Sequence, residues 1–134
     1  MLFGRAARLT AVDGINSADT AVMIIHGDKD TTVSYDRAGI IAHRGEITSP
    51  NVVYKTCATE NHNGHRNLFR SEAAAEYINR KNQEYRELYD LYNGSIPDHV
   101  LADYYANMDR TLASELDTDF MDEINRFFER RLPH

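Results

Sequence analysis

A single cysteine, Cys57, stands in 134 residues. That excludes an internal disulfide and fits a reducing compartment. No apolar run approaches the roughly 18 residues that a membrane span requires. The opening Met1-Leu-Phe-Gly-Arg-Ala-Ala-Arg8 lacks the continuous apolar stretch and small-residue cleavage site of a secretion signal. A basic stripe is absent too: the formal net charge is −6 and is spread along the chain. Nucleic acid is therefore not an expected partner, and the charges read as solvated helix faces. There is no internal repeat and no low-complexity tract. What remains is a chain expected to be soluble and cytoplasmic, long enough for one domain with one core.

What is present is organised around Ala21-Val-Met-Ile-Ile-His-Gly-Asp-Lys-Asp30. Its apolar half is too short for an ordinary helix and ends at Gly27 in a cluster of charge. An uninterrupted Val/Ile-rich run of this kind predicts a buried parallel strand over 21–26. Asp28 to Val33 reads as a loop, and Ser34 is placed to cap a helix over about 35–44, with Ala38, Ile41 and Ala42 on one face and Gly45 at its end. Thr48-Ser-Pro-Asn51 breaks the chain. Val52-Val-Tyr-Lys-Thr-Cys57 then predicts a second strand. Strand, helix, strand implies a parallel pair with a right-handed crossover.

The first twenty residues are weakly patterned, with a short helix possible within 5–18. From Ser71 the pattern is helical. Ala74, Tyr77, Ile78, Tyr85, Leu88 and Tyr92 recur at helical spacing. Asn93-Gly94 closes that helix, Pro97 opens a second, and Asp117-Thr-Asp119 starts a third that carries Phe120, Ile124, Phe127, Phe128 and Leu132 before Pro133. These aromatic stripes are expected to pack as core.

In parallel sheets, reacting groups gather just beyond the carboxyl ends of the strands. Asp30 lies there after the first strand. After the second comes Ala58-Thr-Glu-Asn-His-Asn-Gly-His-Arg-Asn67, with His62 and His65. A carboxylate bonded to an imidazole fixes its tautomer and makes it a general base for a serine or cysteine nucleophile. Spacing leaves either histidine open. Cys57, Glu60, His62 and His65 match no strong zinc spacing, so no metal is expected, and Cys57 reads as structural.

His26-Gly27-Asp28-Lys29-Asp30-Thr-Thr-Val33 resembles the acid-bearing turn of the α/β-hydrolase fold, where a strand ends in His-Gly, two residues follow, and then comes the catalytic Asp. Gly64-His65 resembles that family's histidine loop, in the family's order of acid before histidine. The resemblance covers about residues 19–92. It implies Asp30 as the triad acid, His65 rather than His62 as the base, a glycine at 64 for a sharp turn, a structural His26, and Asp28 as a loop acid. It implies hydrolysis of an ester or peptide bond in a small-molecule or peptide substrate, with no cofactor.

The chain departs from the family's pattern, and the strands and oxyanion hole expected before residue 20 have no counterpart in it. Its glycines are 4, 14, 27, 39, 45, 64 and 94, and no two are four apart, so the Gly-x-Ser-x-Gly elbow of the nucleophile is absent. The expectation is one partial α/β-hydrolase domain over 1–134, with a core at 19–92 and a helical extension at 95–134. It would be the C-terminal fragment of a split or truncated serine hydrolase, inactive without its nucleophile. The first strand's open edge would then favour self-association or pairing with the missing portion. The alternative is a non-catalytic binding module, or a relic of the hydrolase fold.

Overall fold

The computed structural model describes residues 10–131. They form a mixed α/β fold in which two parallel strands are accompanied by several helices. Two compact units are present. One contains the strands and runs to Leu68, taking in the stretch from Asn125 onward, and the other is Phe69–Ile124.

In the first unit, α1 (Ala11–Ser17) opens with a capping box: the Asp13 N–H donates to Thr10 Oγ1, and the Asp13 carboxylate accepts from the Thr10 N–H. Asn16 then ties α1 to the chain ahead of the second strand. Its Nδ2 donates to the Glu46 carbonyl, and its Oδ1 accepts from the N–H groups of Thr48 and Ser49. The two strands, β1 (Val22–Gly27) and β2 (Val52–Cys57), pair in parallel from Val22 opposite Val52 to Gly27 opposite Cys57. Ile24, His26 and Gly27 are buried. The Val22 N–H donates to the Asn51 carbonyl and the Asp28 N–H to the Cys57 carbonyl. Alternation along the strand then turns the peptide groups of Met23 and Ile25 away from β2.

The crossover differs from the expected helix over 35–44. Residues 31–38 are successive turns, and only Ile40–His43 coils, as a 3-10 helix around the buried Ile41. The cause is Gly39, whose backbone is extended at φ −71° and ψ 145°. A Cβ there would stand 2.8 Å from His26 Nδ1 and closer still to Cε1. Packing against the His26 ring therefore takes the middle of the segment out of helical geometry. Ser34 acts through its carbonyl, which accepts from the N–H groups of Arg37, Ala38 and Gly39.

The second unit begins with α2 (Glu72–Leu91), capped by Ser71 Oγ, which accepts from the Ala74 N–H. Ala74 is buried, and Tyr77, Ile78, Tyr85, Leu88 and Tyr92 are half-buried, as the spacing predicts. Asn93 and Gly94 take left-handed φ values of 50° and 86°, and the Gly94 N–H donates back to Tyr89, ending the helix. The expected second helix is two, α3 (Asp98–Ala106) and α4 (Arg110–Ala113), and α5 (Thr118–Glu129) follows, its residues from Asn125 onward belonging to the first unit. The buried Tyr104 of α3 donates its O–H to the Lys81 carbonyl of α2, and the Lys81 ammonium lies 4.5 Å from the Tyr104 ring centroid. Phe120 and Phe127 are buried, whereas Phe128 is exposed. Leu132 and Pro133 fall outside the described residues. Among the described residues, no helix is long and apolar enough to cross a membrane.

Candidate active site

The loops after β1 and β2 meet because Gly27 lets them. A Cβ on Gly27 would lie 2.5 Å from the Gly64 carbonyl oxygen and closer still to that of Asn63, so only glycine admits this approach of backbone to backbone. The Lys29 N–H donates to the Asn63 carbonyl at 2.8 Å, fastening the loops together. The β2 loop turns at Asn61 and Asn67, whose φ values are 70° and 67°. Gly64 does not have the sharp-turn role expected of it. Its φ is not positive, and a Cβ there would meet nothing within 4 Å.

This junction brings Asp30 and His65 together. Asp30 Oδ1 accepts from the backbone N–H groups of Thr32 and Val33, each at 2.8 Å. With Oδ1 held by its own turn, Oδ2 lies 2.9 Å from His65 Nδ1. The Asp30 side chain is 5 % exposed and that of His65 is 47 % exposed, so the acid is sheltered and the imidazole remains open to solvent. Burial alone would push the Asp30 carboxyl up. Hydrogen bonds from the Val33 N–H, from His65 and from the Thr32 N–H, with the attraction of the His65 ring, outweigh it and hold the carboxyl below its ordinary value. An ionised carboxylate only accepts, so Nδ1 of His65 carries the proton, and the Nε2 lone pair of the neutral ring is left as a base. Of the two loop histidines, it is His65 whose ring meets Asp30.

His26 lies beside the same carboxylate, with Nε2 3.4 Å from Asp30 Oδ2 and 2.9 Å from the Val33 carbonyl oxygen. Nothing in the spacing of the sequence signals this, because the partner is a backbone carbonyl. Asp28 is separate from the pair, and its Oδ1 is buried without a hydrogen-bond partner. Cys57 is half-buried at the end of β2, opposite Gly27. Among the described residues, no three His, Cys, Asp or Glu side chains gather as a metal cage. A cavity of about 280 Å³ adjoins the pair, with Ile25, Val33, Ile40 and Leu68 as apolar walls and His26, Asp30 and His65 as its polar groups.

No family model, curated protein or solved structure matches this chain.

Proposed function

We propose that this chain supplies the acid and the general base of an α/β-hydrolase-type catalytic triad acting on an ester or amide bond, with the serine nucleophile contributed from outside these 134 residues. The observation that carries the reading is the 2.9 Å bond between His65 Nδ1 and an Asp30 whose other oxygen is already occupied by two backbone donors. In this reading Nε2 of His65 takes the serine hydroxyl proton as the oxygen attacks the carbonyl carbon. The imidazolium that forms is stabilised by Asp30, and the same proton passes to the departing alcohol or amine, leaving an acyl-enzyme. Water then repeats the sequence and releases the acid. The adjoining cavity would take an apolar part of the substrate. The outward edge of β1 would pair with the neighbouring polypeptide, and the lone thiol suits a reducing, cytoplasmic setting.

The test is labelling by a fluorophosphonate probe, which reports an activated serine. This chain alone should remain unlabelled. Combined with a co-purifying polypeptide that carries Gly-x-Ser-x-Gly, labelling should appear on that serine and vanish with His65→Ala. Labelling that survives His65→Ala would refute the assignment. The second reading, a non-catalytic binding module, draws on Phe69 and Leu116, which are 41 % and 51 % exposed. It gains if no such polypeptide co-purifies.

A further inference from the structure

His26 is a polar ring in an apolar strand. It is buried among the residues that form the crossover, a placement that costs stability unless the ring is bonded. Its surroundings leave it little freedom. Gly39 approaches one edge so closely that no side chain fits between them. The Tyr35 ring meets it edge-on at 5.5 Å and 87°, and the Tyr35 hydroxyl is itself tied to Thr56 Oγ1 of β2 at 2.6 Å. The ring so fixed presents Nε2 to the Val33 carbonyl at 2.9 Å. A carbonyl only accepts, so Nε2 carries the proton.

The Val33 residue is thereby held at both of its polar groups. Its carbonyl takes the His26 proton, and its N–H donates to Asp30 Oδ1 at 2.8 Å. Hydrogen bonds on either side of the Val33 Cα thus link His26 to Asp30, and a third joins Asp30 to His65. The same Nε2 also stands 3.4 Å from Asp30 Oδ2, the oxygen that faces His65.

We propose that His26 is the positioning residue of the acid–histidine pair: by closing the turn from residue 26 to residue 33, it fixes which oxygen of Asp30 is offered to His65. The inference rests on Asp30 and His65 acting as acid and base. It goes further in giving a role to a residue outside the pair that moves the proton. Without the Nε2–H donor the Val33 carbonyl loses its anchor, the turn loosens at Val33 and carries its N–H away from Oδ1, and the carboxylate is no longer committed to presenting Oδ2. A ring of similar bulk that lacked the donor would fill the space without keeping the orientation.

The experiment reads the tautomer of His65 in the purified chain by long-range proton–nitrogen correlation, at a pH where the ring is neutral. Free neutral imidazole of histidine favours the Nε2–H form, whereas a ring bonded to Asp30 through Nδ1 is held in the Nδ1–H form. In the unaltered chain His65 should be predominantly Nδ1–H and His26 predominantly Nε2–H. His26→Leu should shift His65 toward the Nε2–H form. His26→Gln, which restores an N–H donor, should return most of the Nδ1–H population. Ile24→Ala is the control for lost stability alone, since Ile24 is buried in the same strand. It should lower the melting temperature and leave the His65 tautomer unchanged below the transition.

A folded His26→Leu chain with His65 still Nδ1–H overturns the inference. So does an Ile24→Ala chain that loses that tautomer to the same extent. If His26→Leu does not fold, the unaltered chain still decides, because a His26 found as the Nδ1–H form cannot donate to Val33 and overturns the inference. A His65 that is not Nδ1–H in the unaltered chain refutes the acid–histidine reading and removes the basis of the inference. The two failures therefore give different spectra.

Discussion

Gly27 and Asn63 are pressed together, backbone against backbone, where the loops after the two strands cross. A methyl group at Gly27 would overlap the Asn63 carbonyl and stand 2.5 Å from that of Gly64. Gly27→Ala should therefore force the loops apart at a cost of about 1–3 kcal/mol, the range for overpacked sites. It should also break the contact between Asp30 and His65 that depends on their meeting. Gly64→Ala is the paired control. Its Cβ meets open space, so the change in stability should stay within about 0.5 kcal/mol. Denaturant melts of the two variants check this, and equal effects would show that the junction is not the constraint.

Acid should open the site late. The Asp30 carboxyl is held below its ordinary value: burial works to raise it, and the bonds from Val33, His65 and Thr32 more than offset that. The unfolded carboxyl titrates near 3.9. A depressed folded value means the stabilising contribution is fully present above about pH 3.9 and is lost as pH falls through the lower, folded value. Following the Asp30 side-chain carbon by NMR should give a midpoint below 3.9. Asp30→Asn should flatten the acid side of the stability profile. A midpoint at or above 3.9 would contradict the bonding pattern.

The two strands were legible because β-branched runs bounded by Gly and Pro leave few alternatives, and the α2 stripe from Ala74 to Tyr92 followed its spacing residue for residue. Asp30 and the loop holding His62 and His65 are marked by their place after a strand's carboxyl end, and only the resemblance of Gly64-His65 separates the two histidines. The crossover departs from its helical spacing for a physical reason. Ala38, Ile41 and Ala42 have helical spacing, but the conformation of Gly39 is set by the ring of His26, which is distant in sequence. The glycine that mattered for the junction was Gly27, not Gly64, and no local pattern separates a glycine needed for close approach from one that is merely tolerated. The division after Leu68 carries no mark in composition.

The carboxylate's effect on the base should be large if the pair works in a hydrolase. Asp30→Asn preserves shape and removes the charge, and an amide that presents its N–H toward Nδ1 would favour the opposite tautomer of His65. By analogy with serine-protease triads, turnover in a complete, active assembly should fall roughly 10⁴-fold. Fluorophosphonate labelling rate and ester turnover measure it. A loss under tenfold would mean that His65 does not depend on Asp30 as its orienting acid.

The outward edge of β1 gives the last prediction. Val22–Gly27 is Val-Met-Ile-Ile-His-Gly, with no lysine or proline to discourage pairing, and among the described residues its sheet has only two strands. The peptide groups of Met23 and Ile25 point away from β2, so a further strand can hydrogen-bond there. The chain should show concentration-dependent association in sedimentation velocity at tens of micromolar. Ile25→Pro discriminates this cause from general stickiness. Proline at 25 removes an N–H that β2 does not use and leaves the β1–β2 ladder its donors, as expected for proline on an edge. The variant should sediment as a monomer while keeping its strand content. An unaltered chain that remains a monomer throughout and melts cooperatively would rule out edge pairing, and would leave β1 protected by something other than a strand.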